Sequence, residues 1–264
     1  MRLTLRVPVF VLAAAVAAPL AADDLTLVWK VTGKGESPSA RTQYLSATKM
    51  RNADGERDLV VDLASGTLAT IDHKKKEWSE TTVAEMDAAM QRMSAQMEGA
   101  NAKMQEALAK MPPEMREKLG KSMGSMGQTL APTVTKGGTR KILGYDAQQY
   151  TVSMGDTVTM ETWNTRDLKL PIQDPGQFRR LAAISLPHMQ GMDKIAEEMK
   201  KIEGFNLAQT TSFKILGQTR QSASEVTKID KGPIPASTFD VAALTRGYKK
   251  VDSPFTRMGN RPQR

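Results

Sequence analysis

Three stretches of this 264-residue chain hold side chains that could do chemistry. Gly120-Lys121-Ser122-Met123-Gly124 has the spacing of a hydrolase nucleophile elbow, which works only where a buried strand turns sharply into a helix. Here a proline-broken helical pattern precedes it, more glycine follows it and no histidine is near, so serine catalysis is not expected. The same Gly120-Lys121-Ser122 would end a phosphate loop only with glycine at position 115, where Met115 stands. His73 sits beside Lys74, Lys75 and Lys76, where like charge opposes proton acceptance and metal binding; it reads as an exposed turn histidine. His188, Met189 and Met192 offer one nitrogen and two thioethers of the kind that suits Cu(I). The chain has no cysteine and only two histidines, which removes disulfides, thiolate chemistry and a His-built zinc centre. Neither a metal nor a cofactor is expected.

The elements around these residues carry more information. From Thr82-Val83-Ala84-Glu85, a capping box, Met86, Met90, Met93, Met97, Ala100, Met104, Ala107 and Met111 follow at alternating steps of four and three. That spacing predicts one apolar stripe along a helix of about seven turns, stopped by Pro112-Pro113. Side chains on such a stripe share a face without converging, which argues against a thioether metal site. Methionine is flexible and polarisable, so the stripe is suited to irregular apolar shapes.

Strands flank the helix on both sides. Leu25, Leu27, Trp29 and Val31 alternate with polar neighbours; Arg41 to Arg51 reads as a second strand, Leu59 to Leu63 as a third and Leu68 to Asp72 as a fourth. Asn52-Ala53-Asp54-Gly55, Ser65-Gly66 and His73 to Lys76 are the turns between them. After Pro132, strands are expected over Thr133 to Leu143, Tyr145 to Ser153, Thr157 to Asn164, Phe205 to Leu216 and Gln221 to Lys231, with helices between Asp174 and Gly204. Such short connections make an antiparallel meander, because parallel neighbours need long crossovers.

Arg2 and Arg6, the apolar run Val7 to Ala18 and the small residues ending at Ala22 read as a signal peptide, 1–22. One β-rich domain is expected over 23–252, with a helical insertion at about 82–127 and a basic tail at 253–264. A soluble periplasmic or secreted protein follows. The full chain's net charge of +8, reduced to +6 when Arg2 and Arg6 leave with the signal peptide, would bring it into transient contact with membrane surfaces and anionic envelope polymers rather than nucleic acid.

Gly144-Tyr145-Asp146-Ala147-Gln148-Gln149-Tyr150, Met160-Glu161-Thr162-Trp163 and Asp167-Leu168-Lys169-Leu170-Pro171 give the chain a family likeness. It resembles the secreted bacterial proteins of domain of unknown function forty-four-twelve, and Trp29 to Gly35, Lys49-Met50-Arg51 and Gly247-Tyr248-Lys249-Lys250 fit that likeness. The resemblance implies kinship with the periplasmic lipoprotein-carrier half-barrel: an α+β fold whose curved antiparallel sheet has a helical insertion over its concave face. No catalytic residue comes with it. The expected function is non-enzymatic binding of an apolar or acyl-chain ligand, such as a lipid, between sheet and helix. Strand parity and the helical stripe nominate Leu27, Trp29, Val61, Met90, Met93, Met97 and Met104 as its lining. The alternative is an envelope interaction protein whose methionine helix docks a protein partner.

Overall fold

Alternating apolar and polar residues with tight turns between them fold this chain into an α+β protein, a curved antiparallel sheet forming an open half-barrel. The structure is a computed structural model that describes residues 23–33, 37–89, 91–92, 95–96, 99, 110, 132–155, 158–172, 197–215 and 218–253. Six strands come first: β1 (Leu25–Gly33), β2 (Ser39–Leu45), β3 (Lys49–Ala53), β4 (Arg57–Asp62), β5 (Thr67–Asp72) and β6 (Glu77–Thr82). Helix α1 follows, described over 83–89. Five further strands are β7 (Thr133–Ile142), β8 (Tyr145–Met154), β9 (Val158–Thr165), β10 (Phe205–Ile215) and β11 (Gln218–Lys231). A 3-10 turn (Ala236–Phe239), helix α2 (Val241–Leu244) and β12 (Lys249–Lys250) complete the described elements.

All the strands belong to one sheet of order β12-β6-β5-β4-β3-β2-β1-β11-β10-β9-β8-β7. Two meanders, β1 to β6 and β7 to β11, are joined where β1 pairs with β11 in antiparallel register. The parallel pair is β12 with β6. Arg41 to Arg51, expected as one strand, is two: Ser46 N donates to Lys49 O at 2.9 Å, and the Ser46 hydroxyl accepts from Lys49 N at 3.1 Å, closing a turn between β2 and β3. The capping box is present at the start of α1, with Thr82 N donating to Glu85 Oε2 at 2.8 Å and Glu85 N to Thr82 Oγ1 at 3.1 Å. Leu143 and Gly144 join β7 to β8 with φ of 51° and 86°, the positive pair of a type I′ hairpin turn.

Successive strand residues face opposite ways, so adjacent Val60 and Val61 report what covers each face of the first meander. Val61 and Leu63 pack with Met86 of α1 and with Ile172. Val60, Ala69 and Ile71 pack instead under Phe239, with Ile234, Val241, Leu244 and Tyr248 around them. One face is therefore the helix face, and the C-terminal segment covers the other. A third cluster, including Leu25, Leu27, Leu45, Leu207 and Val226, fills the junction of the two meanders.

At the far edge the β7–β8 register shifts between Lys136 and Thr139, a bulge at Gly137-Gly138. Gln148 Nε2 donates to both bulge carbonyls, at 2.8 and 2.9 Å, and Gly138 N donates to Gln149 Oε1 at 3.3 Å. Further along β7, Val134 N donates to Glu198 Oε2 at 3.1 Å, from a helical turn at 197–199. Among the described residues no helix is long and apolar enough to cross a membrane.

Candidate functional site

β1 places Trp29 at the rim of the apolar junction. Leu25 and Leu27 are buried, while Trp29, two residues on, is only partly covered. Beside it the β1–β11 register shifts between the partners of Val28 and Trp29. Trp29 then opens onto a groove of about 500 Å³. Its apolar wall is Trp29, Val31 and Leu45 from the sheet, Phe205 at the start of β10, and Leu170 and Ile172. The last two belong to a segment that leaves β9 at Thr165, whose hydroxyl accepts from Asp167 N at 3.2 Å, and reaches α1 where Ile172 meets Met86. Gly204 introduces β10 at φ 88°; a Cβ there would stand 2.3 Å from Thr165 O, so glycine alone lets Phe205 and Asn206 take their positions.

The floor of the groove is polar but neutral. Asn206 Nδ2 donates to Thr162 Oγ1 at 2.7 Å and to Gln209 Oε1 at 3.3 Å, Thr162 donates to Asn164 Oδ1 at 2.5 Å, and Gln209 Nε2 donates to Thr211 Oγ1 at 3.0 Å. Asn206 Oδ1 is buried without a hydrogen-bond partner. Arg41, the direct cross-strand neighbour of Trp29, is the one charged side chain among the described residues that line the groove.

Of the residues nominated from sequence, Trp29 lines this groove; Leu27 is wholly buried in the junction cluster and Val61 lies beneath Met86 and Ile172. Met90, Met93, Met97 and Met104 lie outside the described residues, as do 1–22, Gly120 to Gly124, His188, Met189 and Met192. Among the described residues no cluster of three or more His, Asp or Glu could hold a metal ion.

A second polar constellation lies on the opposite face. Asp58, 2 % exposed, accepts from Arg51 Nε at 2.9 Å and faces Arg51 Nη2 at 2.5 Å and His73 Nε2 at 3.2 Å. His73 Nδ1 lies 3.0 Å from the Tyr248 hydroxyl, and Arg51 Nη1 donates to Thr238 O at 2.9 Å. His73 is therefore a half-buried rather than an exposed turn histidine: its turn folds the ring back onto the Asp58 carboxylate, which opposes the like charge of the lysines beside it in sequence. The members satisfy one another and reach into the C-terminal segment, so the cluster clamps that segment to the sheet.

Acids with shifted titration mark structural corners rather than the groove. The Thr82 backbone N–H and hydroxyl hold Glu85 below the ordinary carboxylate range, and the Lys75 backbone does the same for Asp72. Glu198 is lowered by Lys201 and by Val134 N. At Asp62 burial pulls upward but is outweighed by the Ser65 and Ala64 backbones and by Lys49, leaving its carboxyl lowered.

The family model described as Domain of unknown function (DUF4412) matches residues 127–244, which takes in β7 to α2 and leaves β1 to β6 outside. No curated protein matches the chain. Among solved structures, PNGF-II is similar over 90 % of this chain at 14 % identity and a TM-score of 0.41, the match spanning only 32 % of the PNGF-II chain. An uncharacterized conserved protein from Thermus thermophilus is 8 % identical with a TM-score of 0.42, over 89 % of this chain and 92 % of that one. The LolA superfamily protein NE2245 from Nitrosomonas europaea is 6 % identical with a TM-score of 0.24, over 84 % and 91 % of the two chains. At these values the likeness is one of fold alone.

Proposed function

We propose that this chain is a non-enzymatic binding protein of the bacterial envelope that holds an apolar or acyl-chain ligand between its sheet and the helix opening at residue 83. The supporting observation is the convergence of six apolar side chains from β1, β2, β10 and the 170–172 segment on one groove of about 500 Å³. That volume lies within the roughly 300–1,000 Å³ of small-molecule sites. Six methylenes covered there would contribute about 5 kcal/mol.

Two features support the reading further. Among the described residues that line the groove the one ionisable side chain is Arg41, and a guanidinium is suited to holding an anion rather than to general acid or base work. The strand order puts β6 near one edge and β7 at the other, ten strand spacings apart, or about 48 Å along the sheet. The stretch 83–132 must carry the chain between them. A helix from Met86 to Met111 would cover about 39 Å of that path, and with α1 already seated on the helix face, Met90, Met93, Met97 and Met104 are proposed as the roof of the site.

The test is direct. The protein purified natively carries an extractable lipid by mass spectrometry, and fatty acids or phospholipids displace an apolar dye from it. An empty extract together with no displacement refutes the reading.

A further inference from the structure

The proposed function leaves the polar end of the ligand open, and we infer, resting on that reading, that the groove takes an amphiphile with an anionic head, carboxylate or phosphate, held at Arg41 and Asn52. Three observations carry this. Among the described residues no aspartate or glutamate lines the groove, so Arg41 gives this lining a positive local field. Arg51, Arg57, Arg140 and Arg166 each face a carboxylate, at Asp58, Asp72, Glu225 and Glu203; Arg41, like Arg220 and Arg246, has no ion pair or hydrogen bond among the described residues, and of these three it is the one that lines the groove. The Asn52 side chain, also on the groove, is likewise without a hydrogen bond among them.

Register places these two free donors together. Asn52 is the cross-strand partner of Gln43, and Arg41 lies two residues from Gln43 along β2 on the same face. Diagonal neighbours of this kind have Cα atoms about 7–8 Å apart, within reach of long side chains, so one carboxylate or phosphate can accept from both. Trp29 faces Arg41 directly, so the apolar wall begins beside the cation. A chain leaving the head there runs over Trp29 and Phe205 towards Leu170 and Ile172, which brings it to α1. A neutral head gives the guanidinium no opposite charge, and a cationic one is repelled.

Displacement of an apolar dye from the full chain distinguishes these cases with four probes of equal chain length: palmitate, hexadecyl phosphate, methyl palmitate and hexadecyltrimethylammonium. Palmitate and hexadecyl phosphate are expected to bind about fivefold tighter than methyl palmitate at low salt, the size of one partly exposed ion pair, with the gap closing as salt is added. Arg41→Gln removes the gap, and Arg41→Lys keeps part of it. Inorganic phosphate alone displaces nothing. Equal binding of palmitate and methyl palmitate, with Arg41→Gln silent, overturns the head-group assignment and leaves the acyl-chain reading standing. Tighter binding of the cationic probe, or displacement by inorganic phosphate, also overturns it. Failure of all four amphiphiles overturns the reading beneath it.

Discussion

Replacing Asp58 by alanine tests the clamp between the sheet and the C-terminal segment. Asp58 Oδ2 lies 2.9 Å from Arg51 Nε, 2.5 Å from Arg51 Nη2 and 3.2 Å from His73 Nε2, and its side chain is 2 % exposed. The Arg51 side chain is itself only 16 % exposed, so Asp58→Ala leaves a nearly buried cation with the Thr238 carbonyl and the face of Tyr44 as its remaining partners. Breaking a buried pair from one side costs about 3–5 kcal/mol, because the surviving charge loses its compensation; the residual partners put this case near 3. In urea, with an m-value of about 2 kcal/mol/M, the midpoint falls by about 1.5 M at unchanged slope. The double replacement Asp58→Leu/Arg51→Met removes both charges and recovers most of that loss. A single-variant loss under about 1 kcal/mol, or a double variant no more stable than the single, refutes the account of Asp58 as the centre of a desolvated ion pair.

Three further expectations follow from particular residues. Leu143 is 48 % exposed at φ 51°, so Leu143→Asn, which makes an Asn-Gly type I′ turn, raises stability by about 0.5–1 kcal/mol in a urea melt; no gain contradicts the strain at that position. Gly204→Ala forces a Cβ against Thr165 O at a positive φ, costs about 2–3 kcal/mol and weakens dye binding by displacing Phe205; unchanged melting and binding would show that the close approach is not needed. Glu85 titrates below its ordinary value because Thr82 N–H and the Thr82 hydroxyl bond its charged form, so its contribution is present above about pH 4.3 and fades as pH falls through the lowered folded value. The melting-temperature gap between the natural chain and Glu85→Gln should be constant from about pH 5 to 8 and close below about pH 4; a gap that persists in acid rules out the carboxylate as its source.

What could be read from sequence was what repeats with the period of its element. β1 announces itself because Leu25 and Leu27 are both apolar and buried, and the capping box because its two residues lie three apart. β6 stayed hidden: its inward positions are Ser79 and Thr81, 7 % and 2 % exposed, so a strand with buried hydroxyls shows no alternation of hydropathy. The turn splitting β2 from β3 hangs on the Ser46 hydroxyl rather than on glycine or proline. Trp29 was legible by strand parity, but the registers that set Arg41 beside Trp29 and Asn52 beside Gln43 depend on the turns between strands, and Phe205 reaches the groove from a far part of the chain, which no local pattern encodes. The same holds for His73, which is followed in sequence by three lysines and whose neighbour in space is an aspartate fifteen residues earlier.

The bulge in β7 bears on what the protein does in company. An open sheet of this size ends in a strand whose outer backbone groups could template a strand from another molecule. Here the straight run is broken at Gly137-Gly138, both of whose carbonyls are occupied by Gln148, and Val134 N is occupied by Glu198. Lys136 adds a charge on the same strand, and Arg140 and Lys141 are paired with Glu225 and Asp146, so the margin is charged rather than apolar. A strand edge is where an open sheet is most exposed to aggregation, and among the described residues this chain meets that hazard at β7 with interrupted geometry and occupied backbone groups.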